Sequence, residues 1–408
     1  MKKFLSASVI ICLCVVSNAQ NWLLTGNAGT TTGTNFIGTT DAKALMFKVN
    51  NQRSGFIDFS LVKGNTSLGF QALNNPTGNN NTAIGYQSML AGTTASGNVA
   101  LGFASMFRTT SGHHNVALGD SAFYDNTTGS LNTATGYLAM FRNISGSENT
   151  AYGYNTLHFN TSGAYNVAAG SYSSYNNTSG NYNTSTGSYA FTDNTIGSEN
   201  CVFGYGALNH NTTASGNVAV GTRAMFVQSY SNGGAAYAAY NVAVGYEALY
   251  YNQPASTLLG IVGIYNTAIG SYALHSNTTG NNTAVGSFAL YDNTTGSSNT
   301  AVGNNALEHN SINLENTAVG ASALFFTTAS DGNTAVGSEA GGLYNNGYYN
   351  VFVGTNTHAN AGGYSNIVSI GNGTVCTASN QVTLGNGTTT SYRAFANWSN
   401  ISDGRYKK

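Results

Sequence analysis

His158, His210, His275, His309 and His358 are the residues of this chain best suited to hold a metal ion or to move a proton. Each falls four to six residues after a glycine that closes a recurring pentapeptide, so the five share one corner of a repeating coil. They sit on separate, non-adjacent coils. In a stack with rungs about 4.8 Å apart, neighbours would stand about 10 Å or more from each other, whereas each metal–ligand bond spans about 2 Å. A surface role at the corner is the reading this spacing supports. His113 and His114 are consecutive in a turn, and only a three-fold axis gathering three copies would make an ion site of them. The sequence therefore assigns no metal and no cofactor.

The carboxylates are equally dispersed. Asp125, Asp193 and Asp292 recur six residues after the repeat glycine, and Glu148, Glu199 and Glu315 five residues before the next. Glycoside hydrolysis needs a pair about 5–9.5 Å apart; Asp193 and Glu199, which share a turn, come nearest to that arrangement. No Ser-His-Asp set is signalled. The glycines sit at coil corners with no helix following, so they form no phosphate loop. The reading is a protein that is not an enzyme. A tail-spike-type polysaccharide-binding or depolymerising protein, hiding carboxylates between chains, is the alternative.

What positions these residues is a repeat. The chain has 408 residues, of which only 7% are charged, against about 25% in ordinary globular proteins. A hydrophobic content of 41% and 12% aromatics exclude a disordered linker. A formal net charge of -1 excludes a basic surface for nucleic acid. From Asn65 to Gly354 the pattern Asn-[Thr/Val]-Ala-[Val/Ile/Leu]-Gly recurs, most often every 17 residues (Gly102, Gly119, Gly136, Gly153). A fixed short period means a solenoid, and the Gly, Asn and Thr in every period exclude helices. The expected fold is all-β: a parallel β-solenoid of about 18 coils, each with two short strands and two turns. In Asn98-Val99-Ala100-Leu101-Gly102, side chains alternate in period two. The Val99/Leu101 face, with Val244 and Cys201 at equivalent positions, is expected to line the core. The small Ala/Gly face is expected to seat a neighbouring backbone, favouring lateral association into a trimer.

The ends and insertions differ from the repeat. Lys2-Lys3, an apolar run from Phe4 to Val16 and Ala19 before Gln20 form a secretory signal peptide over 1–19, too short to span a bilayer. Residues 20–64 are expected to form a β cap on the first coil, followed by repeats over 65–390. Two longer steps place insertions at 228–239 and 253–264. Their tyrosines, Tyr230, Tyr237, Tyr240 and Tyr265, are candidate binding residues on exposed loops. After the leader is removed only Cys201 and Cys376 remain, too far apart on the stack to pair.

The motif Asn-Thr-Ala-Val-Gly with a following Ala-Leu, as at Asn282–Gly286 and Ala289-Leu290, resembles the head repeats of trimeric autotransporter adhesins (YadA-like) over about 65–390. The resemblance implies a left-handed β-roll wound as a homotrimer that binds host or surface ligands. Coils in that family are usually shorter than 17; here the last two, ending at Gly371 and Gly385, are 14 apart. No membrane-anchoring barrel follows in this sequence. Instead Ser402-Asp403-Gly404-Arg405-Tyr406-Lys407 resembles the opening of the endosialidase-type intramolecular chaperone of phage tail spikes and bacterial surface fibres. That implies autocleavage with Ser402 as nucleophile and Asp403 as the first residue released. Residues 391–408 would be the junction to a chaperone domain, whose body the sequence does not contain. The combined expectation is a secreted, cell-surface, non-catalytic trimeric fibre recognising a surface glycan or protein. Binding of ice or another crystal is a further alternative, set against by Thr82, Thr267, Thr283, Thr300, Thr317 and Thr334 alternating with Val and Cys on the face assigned to the core.

Overall fold

The computed structural model describes residues 37–391 apart from 42, 59, 61, 75, 229–231, 254–255, 258–259, 262, 329 and 343–346. Residues 1–19, expected from the sequence to be a leader, and Tyr230, Ser402 and Asp403 lie outside the described residues.

Strands Leu45–Val49 (β1) and Gln52–Ile57 (β2) form an antiparallel hairpin. β2 then pairs antiparallel with Thr66–Leu68 (β3), through Gly55 with Leu68 and Ile57 with Thr66. This hairpin covers the edge that the first coil would otherwise offer for pairing. From β3 onward each strand lies parallel to the strand one coil further along, as far as Val382–Leu384. The result is a single 21-stranded sheet with the hairpin at one edge. Register is maintained down the stack: Val99 sits on Val116, Ala100 on Ala117 and Leu101 on Leu118. The fold is thus the parallel β-solenoid that the repeat predicts.

Two features of the coil differ from expectation. First, each coil holds one three-residue strand in the main sheet, such as Val116–Leu118; the segment after the glycine is a turn, where a second strand was predicted. Backbone pairing between coils continues through it. Ser121 N–H donates back to Phe103 O, and Phe123 N–H donates forward to Ala139 O, both at 2.8 Å. This alternation needs left-handed backbone at Ser121 (φ 53°) and Phe123 (φ 58°). It is uncommon for non-glycine residues, and it is sustained here by hydrogen bonds to both neighbouring coils.

Second, the two strand faces are reversed. Ala100, Ala117 and Ala134 are fully buried, while Val99 and Leu101 are 38% and 46% exposed. Val244 is half-buried, and Cys201 lies on the surface rather than in the core. Volume gives the reason. A 17-residue coil is too thin to enclose two branched aliphatic rows. Its interior takes the strand alanine, a second alanine three residues past the glycine, and one large side chain beside that, as in Ala117, Ala122 and Phe123. The glycine keeps the coils close. A Cβ on Gly119 (φ +136°) would fall 2.6 Å from the carbonyl oxygen of Gly136, and no non-glycine residue adopts that backbone without strain.

The conserved asparagine of each coil also points inward. Asn132 is buried. Its Nδ2 donates to Asn115 Oδ1 at 3.1 Å and to Gly146 O at 2.9 Å, and its Oδ1 accepts the backbone N–H of Asn149 at 2.9 Å. A second buried ladder runs through Asn126, Asn143, Asn160, Asn177, Asn194 and Asn211. Buried amides are costly unless paired. Stacking identical residues one rung apart satisfies them.

The first insertion pairs with the stack and the second forms a hairpin of its own. Tyr237–Ala238 pairs in parallel with Ala214–Ser215, and Ser256–Thr257 forms a small antiparallel hairpin with Gly260–Ile261. Among the described residues no helix is long and apolar enough to cross a membrane.

Candidate functional site

Because the alanine face is inside, the other strand face forms a regular surface along the stack. It carries two rows. The position before the closing glycine supplies Leu101, Tyr152, Phe203, Ile269, Val302, Val319, Val336 and Val353, all exposed by 36–66%. Two residues earlier stand Val99, Cys201, Thr267, Thr283, Thr300, Thr317 and Thr334. From Thr267 to Val336 the face becomes uniform: Thr over Thr and Val or Ile over Val in five successive coils. The rows are aligned because the strands are in register, so their spacing is that of the sheet, about 4.8 Å per rung.

The predicted tyrosines divide. Tyr237 is only 7% exposed and packs with Ala214 and Ala239, so it belongs to a small core rather than to a loop surface. Tyr240 and Tyr265 are both 53% exposed. They stand outside the insertions, in the turn that precedes each asparagine, and their rings stack on one another at 6.0 Å. That turn position takes positive φ in coil after coil, including Tyr240 (49°) and Tyr265 (60°).

The titratable residues pair between coils rather than within a turn. Asp193 Oδ2 lies 2.7 Å from His210 Nδ1, and Asp292 Oδ2 lies 2.6 Å from His309 Nδ1. The Asp193–Glu199 pair contemplated from the sequence shares no contact of this kind. Both Asp–His pairs join the sixth residue after one glycine to the sixth after the next, 17 positions on. The repeat itself contained this signal, since residues one period apart are direct neighbours across a rung.

His158 and His275 occupy the adjacent row and are stacked into it. His158 lies between Phe141 and Tyr175, at 5.1 and 5.0 Å, and His275 between Tyr250 and Tyr291, at 5.3 and 5.0 Å. Burial pushes both imidazoles below their ordinary pKa. Arg142 adds to the depression at His158, and Glu247 opposes it at His275. Among the described residues no group of three His, Cys, Asp or Glu side chains is placed to hold a metal ion. Among the described residues the polar side-chain partners of His210 and His309 are carboxylates, Asp193 for the first and Asp292 with Glu308 for the second.

No family model matches this chain, and no curated protein is similar to it in sequence.

Proposed function

We propose that the chain is an exported, non-catalytic surface fibre that assembles as a homotrimer and recognises a surface ligand. The observation that carries this reading is the apolar row before the closing glycine, which runs unbroken and exposed or half-buried from Phe203 to Ile370 and is interrupted in the first half by Thr135 and Thr186. An apolar row of that extent is a recognised mark of an interaction site. A second copy of the same regular row, with the same rung spacing, matches it along its length, and closed symmetric association protects every copy equally. The low charge of the chain fits a surface intended for burial in this way. In this reading Ser402-Asp403 is the cleavage junction of an assembly chaperone, and residues 1–19 direct export.

The experiment is the molar mass in solution of the chain lacking residues 1–19, by size exclusion with light scattering. Three times the monomer mass, falling to the monomer when Leu101 and Val319 are replaced by Asp, supports the trimer. A folded monomer overturns it.

One observation favours a second reading. The Thr row that was set aside because it shared a face with Val is on the surface, and from Thr267 to Val336 it is regular. A flat Thr/Val lattice suits binding to an ordered surface such as ice. Thermal hysteresis by a monomeric protein, lost on Thr300→Tyr, would establish that reading in place of the trimer.

A further inference from the structure

A groove of about 800 Å³ runs along the corner of the coils closed by Gly102 to Gly187, away from the strand face. One wall is the sixth residue after each glycine: Arg108, Asp125, Arg142, Phe159, Asn176 and Asp193. The other is the eighth, chiefly Thr127, Thr161, Thr178 and Thr195. The seventh residue is buried and turned inward between them, Thr109 in the first coil and the ladder asparagine in the other five, which is why the two rows enclose a channel. Six coils give the groove a length of about 24 Å at about 4.8 Å per rung.

We propose that this groove binds an extended, uncharged glycan lying parallel to the stack axis. The donors and acceptors on its two walls define the ligand. Each threonine hydroxyl donates to the backbone of the next coil, Thr127 to Ile144 O at 2.9 Å and Thr161, Thr178 and Thr195 to the corresponding carbonyls at 2.8 Å. Their protons are spent, and they offer the ligand lone pairs only. The facing wall supplies donors from Arg108, Arg142 and the second Nδ2 hydrogen of Asn176, whose first goes to Asp193 Oδ1 at 3.2 Å, and acceptors from the remaining lone pairs of Asp125 and of Asp193, which also holds His210 at 2.7 Å. A ligand must therefore donate to one wall and both donate to and accept from the other, which hydroxyl groups do and phosphate or sulfate esters do not.

Charge points the same way. Two arginines and two aspartates share one wall, and Asp125 already lies 3.1 Å from Arg108 and 3.9 Å from Arg142, so the groove offers no net field to a polyanion. Phe159, half-buried at the centre with Arg142 5.7 Å from its ring centroid, presents an apolar face on which the C–H side of a sugar ring can stack. An extended peptide would need unpaired backbone groups to bind as an added strand. Here they are taken: Arg108 N–H donates to Tyr124 O, Arg142 N–H to His158 O, and Thr127 N–H to Ile144 O.

The inference deepens the recognition role proposed above by naming its ligand class and site. The test is binding of the chain lacking residues 1–19 to an array of neutral linear glycans, with heparin and random peptides alongside. Calorimetry then follows with cellohexaose, laminarihexaose or maltohexaose, whichever binds. Phe159→Ala and Asn176→Ala should each weaken binding about ten-fold or more while the circular dichroism spectrum is kept. Phe326→Ala, at the same coil position outside the groove, should leave it within two-fold, and added salt should change it little. Absence of binding to every neutral glycan, unchanged affinity in the Phe159 and Asn176 variants, or a salt-sensitive preference for heparin or peptide overturns the proposal. A trimer whose groove variants bind normally removes the groove alone. A monomer whose glycan binding depends on Phe159 removes the trimer alone.

Discussion

The stack is two hydrophobic cores placed end to end. The first runs from Ala72 to Ala168 and the second from Ala190 to Cys376. Between them lies a polar layer in which Ser173, Ser174 and Ser185 bond to one another at 2.6 and 2.8 Å, Ser174 occupying the place filled elsewhere by Leu, Met or Phe. Inside, the halves are alike, with alanine against alanine and asparagine over asparagine. Outside they differ. The N-terminal half varies its strand face, from Val99/Leu101 to Thr133/Thr135 to Thr150/Tyr152, and builds the charged groove at its corner. The second half, beyond its insertions, repeats Thr-Ala-Val with little change from Thr283 to Val336. The lesson is that the interior confines its positions to alanine, asparagine and one larger side chain in most coils because coil volume is fixed by the period, whereas each outward position can be altered one rung at a time.

Inside and outside should therefore respond very differently to the same change. Ala100→Asp places an unpaired charge in a fully buried position and is expected to cost more than about 4 kcal/mol, among the largest single-substitution effects. Leu101→Asp, its immediate neighbour, should change the stability of the single chain by only about 0.5 kcal/mol and act on assembly instead. Denaturant melts of both variants, compared at a concentration where the parent is monomeric, check this. Equal losses would mean that the strand faces are not distinguished as described.

The buried ladders sharpen the likeness of the two halves. Asn132→Ala and Asn299→Ala each remove a buried amide whose Oδ1 receives a backbone N–H from the next coil, Asn149 or Asn316, at 2.9 Å. Each should cost about 1–3 kcal/mol, the penalty for leaving a buried donor unsatisfied. Similar values in both halves are expected from urea titrations; a cost confined to one half would show that the ladder is structural only there.

The smallest effect concerns pH. Folding lowers the pKa of His158 in the first half and His275 in the second, mainly through burial. The unfolded chain therefore binds more protons than the folded one between the two pKa values. This contribution to stability is fully present above about pH 6.5, the unfolded value, and declines as the pH falls toward the folded values. Melting temperatures should drop modestly below that point. His158→Phe, which keeps the ring stack, should remove the first half's share, and a pH-independent parent would contradict the burial argument.

Much of the fold was legible in the sequence. The period, the position of the main-sheet strand in each coil and the parallel class follow from residues that recur 17 apart, and the insertions from the steps that break that period, since identical coils can stack in register with little alternative. The turn after the glycine was harder to read. Residues such as Phe123 and Leu138 have no intrinsic preference for the left-handed backbone they adopt there, and hydrogen bonds to both neighbouring coils impose it. Of the site, Arg108, Asp125 and Arg142 form one row because they are one period apart, a relation present in the numbering but meaningful only once a rung separates them by a few ångströms.

By itself the sequence determined that this chain is a parallel β-solenoid whose Asn-x-Ala-x-Gly segment is an alternating strand in every coil; it also suggested a second strand, which the structure replaces with a turn. It could not determine which side of the alternating strand is the inside, because alternation in period two is symmetric. Hydrophobicity favoured Val99 and Leu101; the closed coil takes the central residue of the strand, alanine in most coils, as Ala100. The tertiary structure decided it by volume: a coil this thin has room for methyl groups, one larger side chain and hydrogen-bonded asparagine. The branched aliphatic and threonine rows remain on the surface, where a partner can reach them.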